Sequence, residues 1–246
     1  MDTKILVSLS HQVAMERQMD IIANNIANMN TTSYKRESVM FNEYLSDIGG
    51  SLPNSFKKVS FVQETGVARE MTNGELQTTN NPLDLALEGG GMFKVRKENG
   101  DTAYTRNGHF ALSQDNELIT AAGHLILDEA DQTIQFPPNS PSFKIAEDGT
   151  VSTKETGQIG KIGVLQFENY GAMRKIGDNL YSSEEVGVPA TNYRLAQGML
   201  ETSNVSPVLE ITNMIHLSRA YAQTANLIDK VQQTTSSAIN RIAKFA

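Results

Sequence analysis

The sequence predicts a mainly β chain with long terminal α-helices: N- and C-terminal helices that pair antiparallel, coiled-coil-like, and a central antiparallel all-β domain. Three observations predict it. Apolar residues recur at alternating spacings of 3 and 4 from Met214 to Phe245, and again at 4, 3, 4, 3 from Met15 to Met29. Between these stretches apolar and polar residues alternate with period two, and Asn-Gly and Asp-Gly pairs separate the runs. A period near 3.5 marks a helical seam; a period of two marks a strand with one buried face.

The C-terminal segment "SNVSPVLEITNMIHLSRAYAQTANLIDKVQQTTSSAINRIAKFA" opens with Ser206 as N-cap and Pro207 at the first helical position, where a missing N–H costs nothing. Met214, Leu217, Tyr221, Thr224, Ile228, Val231, Thr235, Ala238, Ile242 and Phe245 then form one stripe. The positions between them, such as Asn213, Ser218, Arg219 and Gln223, are mostly polar. The stripe is therefore a narrow seam, not a broad core-facing face. A helix over 207–243 is about 55 Å long at 1.5 Å per residue.

At the other end, Leu6, Leu9 and Val13 form one stripe, and Met15, Met19, Ile22, Ile26 and Met29 form a second. The second is one residue out of phase, so the apolar face steps sideways by about 100°. A helix over 4–29 spans about 40 Å. An Asn-rich joint follows, in which Asn24, Asn25, Asn28 and Asn30 can cap the helix end and bond neighbouring backbone, since an amide side chain both donates and accepts. Two paired helices bury only one side of each seam. Leu9, Val13, Ile211, Ile215 and Leu227 fall off it and call for neighbours.

The β region begins near residue 65. "PLDLALEGG" alternates Leu83, Leu85 and Leu87 against Asp84, Ala86 and Glu88, and Phe93/Val95, Phe110/Leu112, Leu125/Leu127, Ile134/Phe136 and Phe143/Ile145 repeat the pattern. Asn-Gly at 73–74, 99–100 and 107–108 and Asp-Gly at 148–149 read as tight turns whose glycines supply positive φ. The expected organisation is residues 1–36 as N-terminal helix and joint, 37–64 as a connector with one or two extended pieces, 65–204 as the β domain, and 205–246 as the C-terminal helix.

Charge and composition exclude several functions. The net charge is −7, and residues 37–204 carry 13 basic against 23 acidic side chains, while both ends are slightly positive. An acidic middle argues against a nucleic-acid groove, where phosphate contacts supply most of the affinity. With no cysteine there is neither a disulfide nor a thiolate metal site. No apolar run approaches the roughly 20 residues of a membrane span, and "MDTKILVSLSHQVAMERQMD" does not read as a cleaved secretory signal. His11, His109, His124 and His216 are scattered, without metal-ligand spacing. Asp84 and Glu88 face the same way at strand spacing and read as a solvated strand face, not an acid–base pair; Gly89–Gly91 reads as a bend between strands. No catalytic residue, metal or cofactor is expected. A β-domain binding module on a coiled-coil oligomerisation stalk stays open as a reading of these residues.

Five blocks, in order, carry a more specific resemblance: "ANNIANMNTTSYKR" (23–36), "NGELQTTNNPLDLALEGGGMFKV" (73–95), "YTRNGHFALSQDNELITAAGHLIL" (104–127), "KIGDNLY" (175–181) and "LETSNVSPVLEITNMIHLSRAYAQTANLI" (200–228). Together they resemble the bacterial flagellar rod and hook family, and within it the proximal-rod branch most, with a distal-rod or hook subunit as the alternative. Ser33 and Asn116 stand where the family has Gly, so a left-handed turn at Ser33 would be strained, whereas Asn tolerates that region. The resemblance implies a structural subunit with an inner helical part and an outer β domain. Its implied partners are copies of itself and other rod proteins, it is exported by the flagellar type III apparatus, and it sits in the periplasmic rod. Seams and resemblance together place an assembly interface on Leu9, Val13, Met15, Met19, Ile22, Asn24, Asn25, Ile26, Asn28 and Tyr34, and on Met214, Leu217, Tyr221, Ile228, Val231 and Ile242.

Overall fold

A computed structural model of the chain describes residues 2–47, 58–138 and 143–243. They group into two compact units, one of Met1–Ala27, Glu37–Ala68 and Ser206–Ala246, the other of Asn28–Arg36 and Arg69–Val205.

The first unit holds the helices α1 (Asp2–Ala27) and α2 (Pro207–Ala243) and the strands β1 (Glu37–Asp47) and β2 (Lys58–Arg69). α2 begins at Pro207 as its sequence signals require, and the Glu210 amide donates to the Ser206 carbonyl at 3.0 Å, the first bond of the helix. α1 ends at Ala27, two residues short of the expected Met29, because the chain turns there: the Thr31 amide donates to the Asn28 carbonyl at 3.0 Å. Asn25, near the end of α1, bonds Glu210 in the first turn of α2 at 3.3 Å, so the helices run antiparallel. Ile21 is buried beside Ile22, making the covered face of α1 broader than a coiled-coil seam; α1 packs on β1 as well as on α2. Residues 37–64, expected as a connector, contribute the paired strands β1 and β2, a long two-stranded ribbon.

The second unit contains short antiparallel strands: β3 (Leu76–Thr78), β4 (Leu85–Gly89), β5 (Met92–Arg96), β6 (Thr102–Thr105), β7 (Phe110–Leu112), β8 (Leu118–Thr120), β9 (Leu125–Ile126), β10 (Phe143–Ile145), β11 (Thr150–Thr153), β12 (Gly157–Lys161), β13 (Val164–Gln166), β14 (Arg174–Gly177), β15 (Leu180–Ser182), β16 (Val188–Pro189), β17 (Tyr193–Gln197) and β18 (Met199–Glu201). The main sheet has the order β14-β15-β6-β5-β9-β8-β7, with β13 and β16 added beside β5. β10, β11 and β12 form a second sheet, β17 pairs with β4, and β18 pairs with β3. Leu85, Leu87, Phe93, Val95, Phe110 and Ile126 are among the residues of one buried core, and Phe93 and Phe110 meet edge to face with centroids 5.2 Å apart. That geometry suits the ring quadrupoles.

The glycines divide into two kinds. Gly100 and Gly149 take the positive φ expected of them, at 88° and 90°. Gly74 and Gly108 do not, and a different constraint selects them: a Cβ on Gly108 would lie 1.6 Å from the Leu85 carbonyl oxygen, and one on Gly74 2.0 Å from that of Thr202. Ser33 does adopt the left-handed conformation at φ 55°, as does Asn116 at 59°. Asp84 corrects the sequence reading. It is buried, accepts from Asn81 Nδ2 at 3.0 Å and pairs with His109 Nδ1 at 2.8 Å, so only Glu88 lies on a solvated face.

Gly108→Ala is expected to destabilise the β unit by about 3 kcal/mol or more, since the obstacle is backbone that cannot step aside. Gly160→Ala, whose nearest neighbour is 4.0 Å away, is expected to stay within about 1 kcal/mol of wild type. Urea melts of the two variants check the contrast.

Candidate assembly interface

Within the helical unit, the residues assigned to the interface fall into three groups. Met15 and Ile22 are buried, and Met19 and Ile26 half-buried, on the covered side of α1. Met214, Leu217, Tyr221, Ile228 and Val231 are all half-buried along one side of α2, as their spacing requires. Leu9 and Val13, by contrast, remain 50% and 57% exposed, and Ile211, Ile215 and Leu227 are similarly open on α2. Asn24 is exposed as well. The Ile242 side chain and Phe245 lie outside the described residues.

Asn25 is fully buried and works inside the chain. Its Nδ2 donates to the Glu37 carbonyl at 2.8 Å and to Glu210 Oε2 at 3.3 Å, while its Oδ1 accepts from the Glu37 amide at 3.0 Å. One amide side chain thereby ties α1, β1 and α2 together, and Glu210, itself buried, receives a donor it needs. In the β unit, Asn28 Oδ1 accepts from the Thr31 hydroxyl at 3.2 Å, and the buried Tyr34 ring lies 4.4 Å beneath the Lys175 ammonium. The sequence offered Asn25, Asn28 and Tyr34 as contacts to other subunits; the structure engages each within its own unit.

The β unit also holds a charge cluster that periodicity gave no reason to expect. Lys35, Arg106 and Glu201 are buried together, their side chains 2%, 3% and 1% exposed. Glu201 Oε1 accepts from Lys35 Nζ at 2.7 Å and from the Gly74 amide at 2.9 Å, and Oε2 accepts from Arg106 Nε at 2.8 Å. Arg106 uses its remaining donors on the carbonyls of Leu87, Gly89 and Gly91, at 2.6, 2.7 and 2.5 Å, and on Asn73 Oδ1 at 3.0 Å. Asn204 extends the joint: its Oδ1 accepts from the Arg36 amide at 2.7 Å, and its Nδ2 donates to the Glu70 carbonyl at 2.8 Å. Burial drives Lys35 and Glu201 toward neutrality, lowering the lysine and raising the acid; for Glu201 the charges of Arg106 and Lys35 and their hydrogen bonds prevail and hold its carboxyl below the ordinary range. The available signal was chemical. A charged residue stands in each of "SYKR", "YTRNG" and "LETSN", and two of the three lie beside glycine or small polar residues that let backbone come close.

Among the described residues, no three His, Asp or Glu side chains gather as metal ligands would. Nor is any helix long and apolar enough to cross a membrane.

Three family models match the chain: flagella basal body rod protein over residues 5–35, flagellar hook protein FlgE/F/G D1 domain over 86–153, and flagellar basal body rod FlgEFG protein C-terminal over 196–241. The flagellar basal-body rod protein FlgF of Caulobacter vibrioides is 39% identical over 247 residues, covering all of both chains. FlgF of Mesorhizobium japonicum is 32% identical over 98% of each chain, and FlgG of Buchnera aphidicola subsp. Schizaphis graminum is 32% identical over 91% of this chain and 94% of its own. The chain belongs to the flagellar basal-body rod protein family.

Family membership and the charge cluster coincide. The three matched segments each supply one member: Lys35 closes the first, Arg106 lies in the second and Glu201 in the third. In this chain these segments are far apart in sequence, and the carboxylate of Glu201 is a point where all three meet.

Because the folded pKa of Glu201 lies below its unfolded value of about 4.3, the unfolded chain takes up the proton first as pH falls. The stability it contributes is present above the unfolded value and is lost as pH falls through the folded one. Glu201→Gln is expected to flatten this acid limb and, by leaving two buried cations uncompensated, to cost about 3–5 kcal/mol at neutral pH. Chemical denaturation between pH 3 and 7 measures both effects.

Proposed function

We propose that this chain assembles head-to-tail through its terminal helices, with copies of itself and with other rod proteins, in the proximal part of the flagellar rod. In this reading it is a non-catalytic building block of the periplasmic shaft that carries motor torque, and it leaves the cell through the flagellar type III apparatus. That it is a structural subunit of the basal-body rod follows from its family. The proximal position rests on the likeness of the five sequence blocks to the proximal-rod branch, and the flagellar basal-body rod protein FlgF of Caulobacter vibrioides aligns from end to end at 39% identity.

One observation carries the assembly reading. Both helices are far longer than the usual three turns, each covers one side, and each leaves large aliphatic side chains about half exposed on the other. Ordered apolar faces on a water-soluble subunit mark contacts with other chains. Contacts made by different patches on each copy do not close into a ring and build an axial polymer instead. Asp84 is engaged by His109 and Asn81 and Glu88 faces solvent, so the two carboxylates do not share one environment.

Leu227→Asp tests the proposal. Leu227 is 55% exposed in the single chain, so the variant is expected to melt within about 0.5 kcal/mol of wild type and to keep its helical circular dichroism. In cells it should be missing from purified basal bodies, and swimming should be lost. Normal incorporation and motility would count against helix-mediated assembly.

A further inference from the structure

Three Asn-Gly pairs punctuate the β unit, at 73–74, 99–100 and 107–108. In such a pair the backbone nitrogen after the asparagine can attack the side-chain amide, because glycine places no Cβ beside it. The fold treats the three pairs differently. We propose that Asn99, on the exposed turn between β5 and β6, is where the folded chain deamidates spontaneously, and that tertiary contacts protect Asn73 and Asn107.

At the protected pairs the reacting groups are held. Asn73 Oδ1 accepts from Arg106 Nη2 at 3.0 Å, and the Gly74 amide donates to Glu201 Oε1 at 2.9 Å. Taking the proton from that nitrogen would set a second negative charge against a buried carboxylate. Asn107 is half-buried and its Oδ1 accepts from the His109 amide at 3.1 Å. Gly108 lies so close to the Leu85 carbonyl, and Gly74 to that of Thr202, that neither a cyclic intermediate nor a longer backbone has room. At the β5–β6 turn, Asn99 and Gly100 are both exposed, and nothing lies within 4 Å of a Cβ on Gly100. The bonds that close this turn are ones water can replace. Gly100 N donates to the Lys97 carbonyl at 2.9 Å, Asp101 N to Asn99 Oδ1 at 3.1 Å, and Asn99 Nδ2 to Asp101 Oδ2 at 2.7 Å. Opening confined to a hairpin tip costs far less than opening of the core.

In the opened turn, hydroxide takes the Gly100 amide proton and the nitrogen attacks Asn99 Cγ. A C–N bond forms, the side-chain nitrogen leaves as ammonia with a proton from water, and a five-membered succinimide remains. Water then adds to one of its two carbonyls. Breaking the bond from Gly100 N to Cγ leaves aspartate. Breaking the bond from that nitrogen to the main-chain carbonyl carbon leaves isoaspartate, whose backbone runs through Cβ and Cγ and is one atom longer. Either product puts a carboxylate beside Asp101 in place of the donor that Asp101 now binds. That donor, ahead of Lys97, holds the Asp101 carboxyl below its ordinary range, so conversion removes its largest support. Asp148-Gly149 reaches the same ring through a protonated carboxyl, and hydrogen bonds from the Thr150 amide and hydroxyl keep the Asp148 carboxyl below the ordinary range.

Peptide mapping by mass spectrometry follows all three asparagines while the purified chain is held at mildly alkaline pH. In the folded chain Asn99 is expected to convert about tenfold faster than Asn73 or Asn107, with isoaspartate among the products and a rate that rises with pH. In urea the three are expected to convert within about threefold of one another, since the contacts that distinguish them are gone. Asn99→Gln should remove the acidic species that the folded wild-type chain accumulates on isoelectric focusing, and leave Asn73 and Asn107 as slow as before. Three outcomes would each overturn the assignment: equal rates at the three sites in the folded chain, no conversion at Asn99 over a period that converts it in urea, or the same preference for Asn99 in urea.

Discussion

The β unit depends on one buried carboxylate. Glu201 accepts from Lys35, Arg106 and the Gly74 amide at once, and Arg106 carries the load onward to three backbone carbonyls, two in β4 and one in the turn after it. Moving such charges out of water costs several kcal/mol per ion, and the cluster is tolerable because nearly every donor and acceptor finds a partner at short range. An arrangement of that kind has few alternatives: a half-made version would bury an unpaired ion. It therefore acts as a specificity device for the joint, holding Ser33 against the Glu201 carbonyl at 2.8 Å and Arg36 against Asn204 at 2.7 Å. The segments 33–36 and 201–204 are fixed side by side.

The same constraint explains a strained residue. Ser33 sits at φ 55°, where a side chain costs roughly a kilocalorie per mole, and its amide and hydroxyl both reach the Glu201 carbonyl. The left-handed turn is kept with a serine, since the bonds that the turn makes outweigh the strain.

In the helical unit, apolar surface is partitioned between two tasks. The seam residues of α1 and α2 are covered by each other and by β1, and Asn25 pins the three elements with three hydrogen bonds. The residues left over are not scattered. Leu6, Leu9 and Val13 line a groove, and Val208, Ile211 and Ile215 make a ridge.

Periodicity with its capping and turn signals determined both helices, the start of α2 at Pro207, the seams, the faces left exposed at Leu9, Val13, Ile211, Ile215 and Leu227, and the presence of a short-stranded β domain. These are local properties, because a helix or strand writes its buried face into residues a few positions apart. Only the tertiary structure decided the rest. Arg106 and Lys35 lie 95 and 166 residues before Glu201, and nothing in the spacing of any one segment says that their charges meet. Gly74 and Gly108 look like hairpin glycines in sequence, yet the carbonyls of Thr202 and Leu85, far along the chain, are what exclude a side chain. Asp84 alternates as a solvated residue would and is claimed by His109 across a bridge. Long-range contacts choose among the local options, and that choice is not encoded in any one window of the sequence.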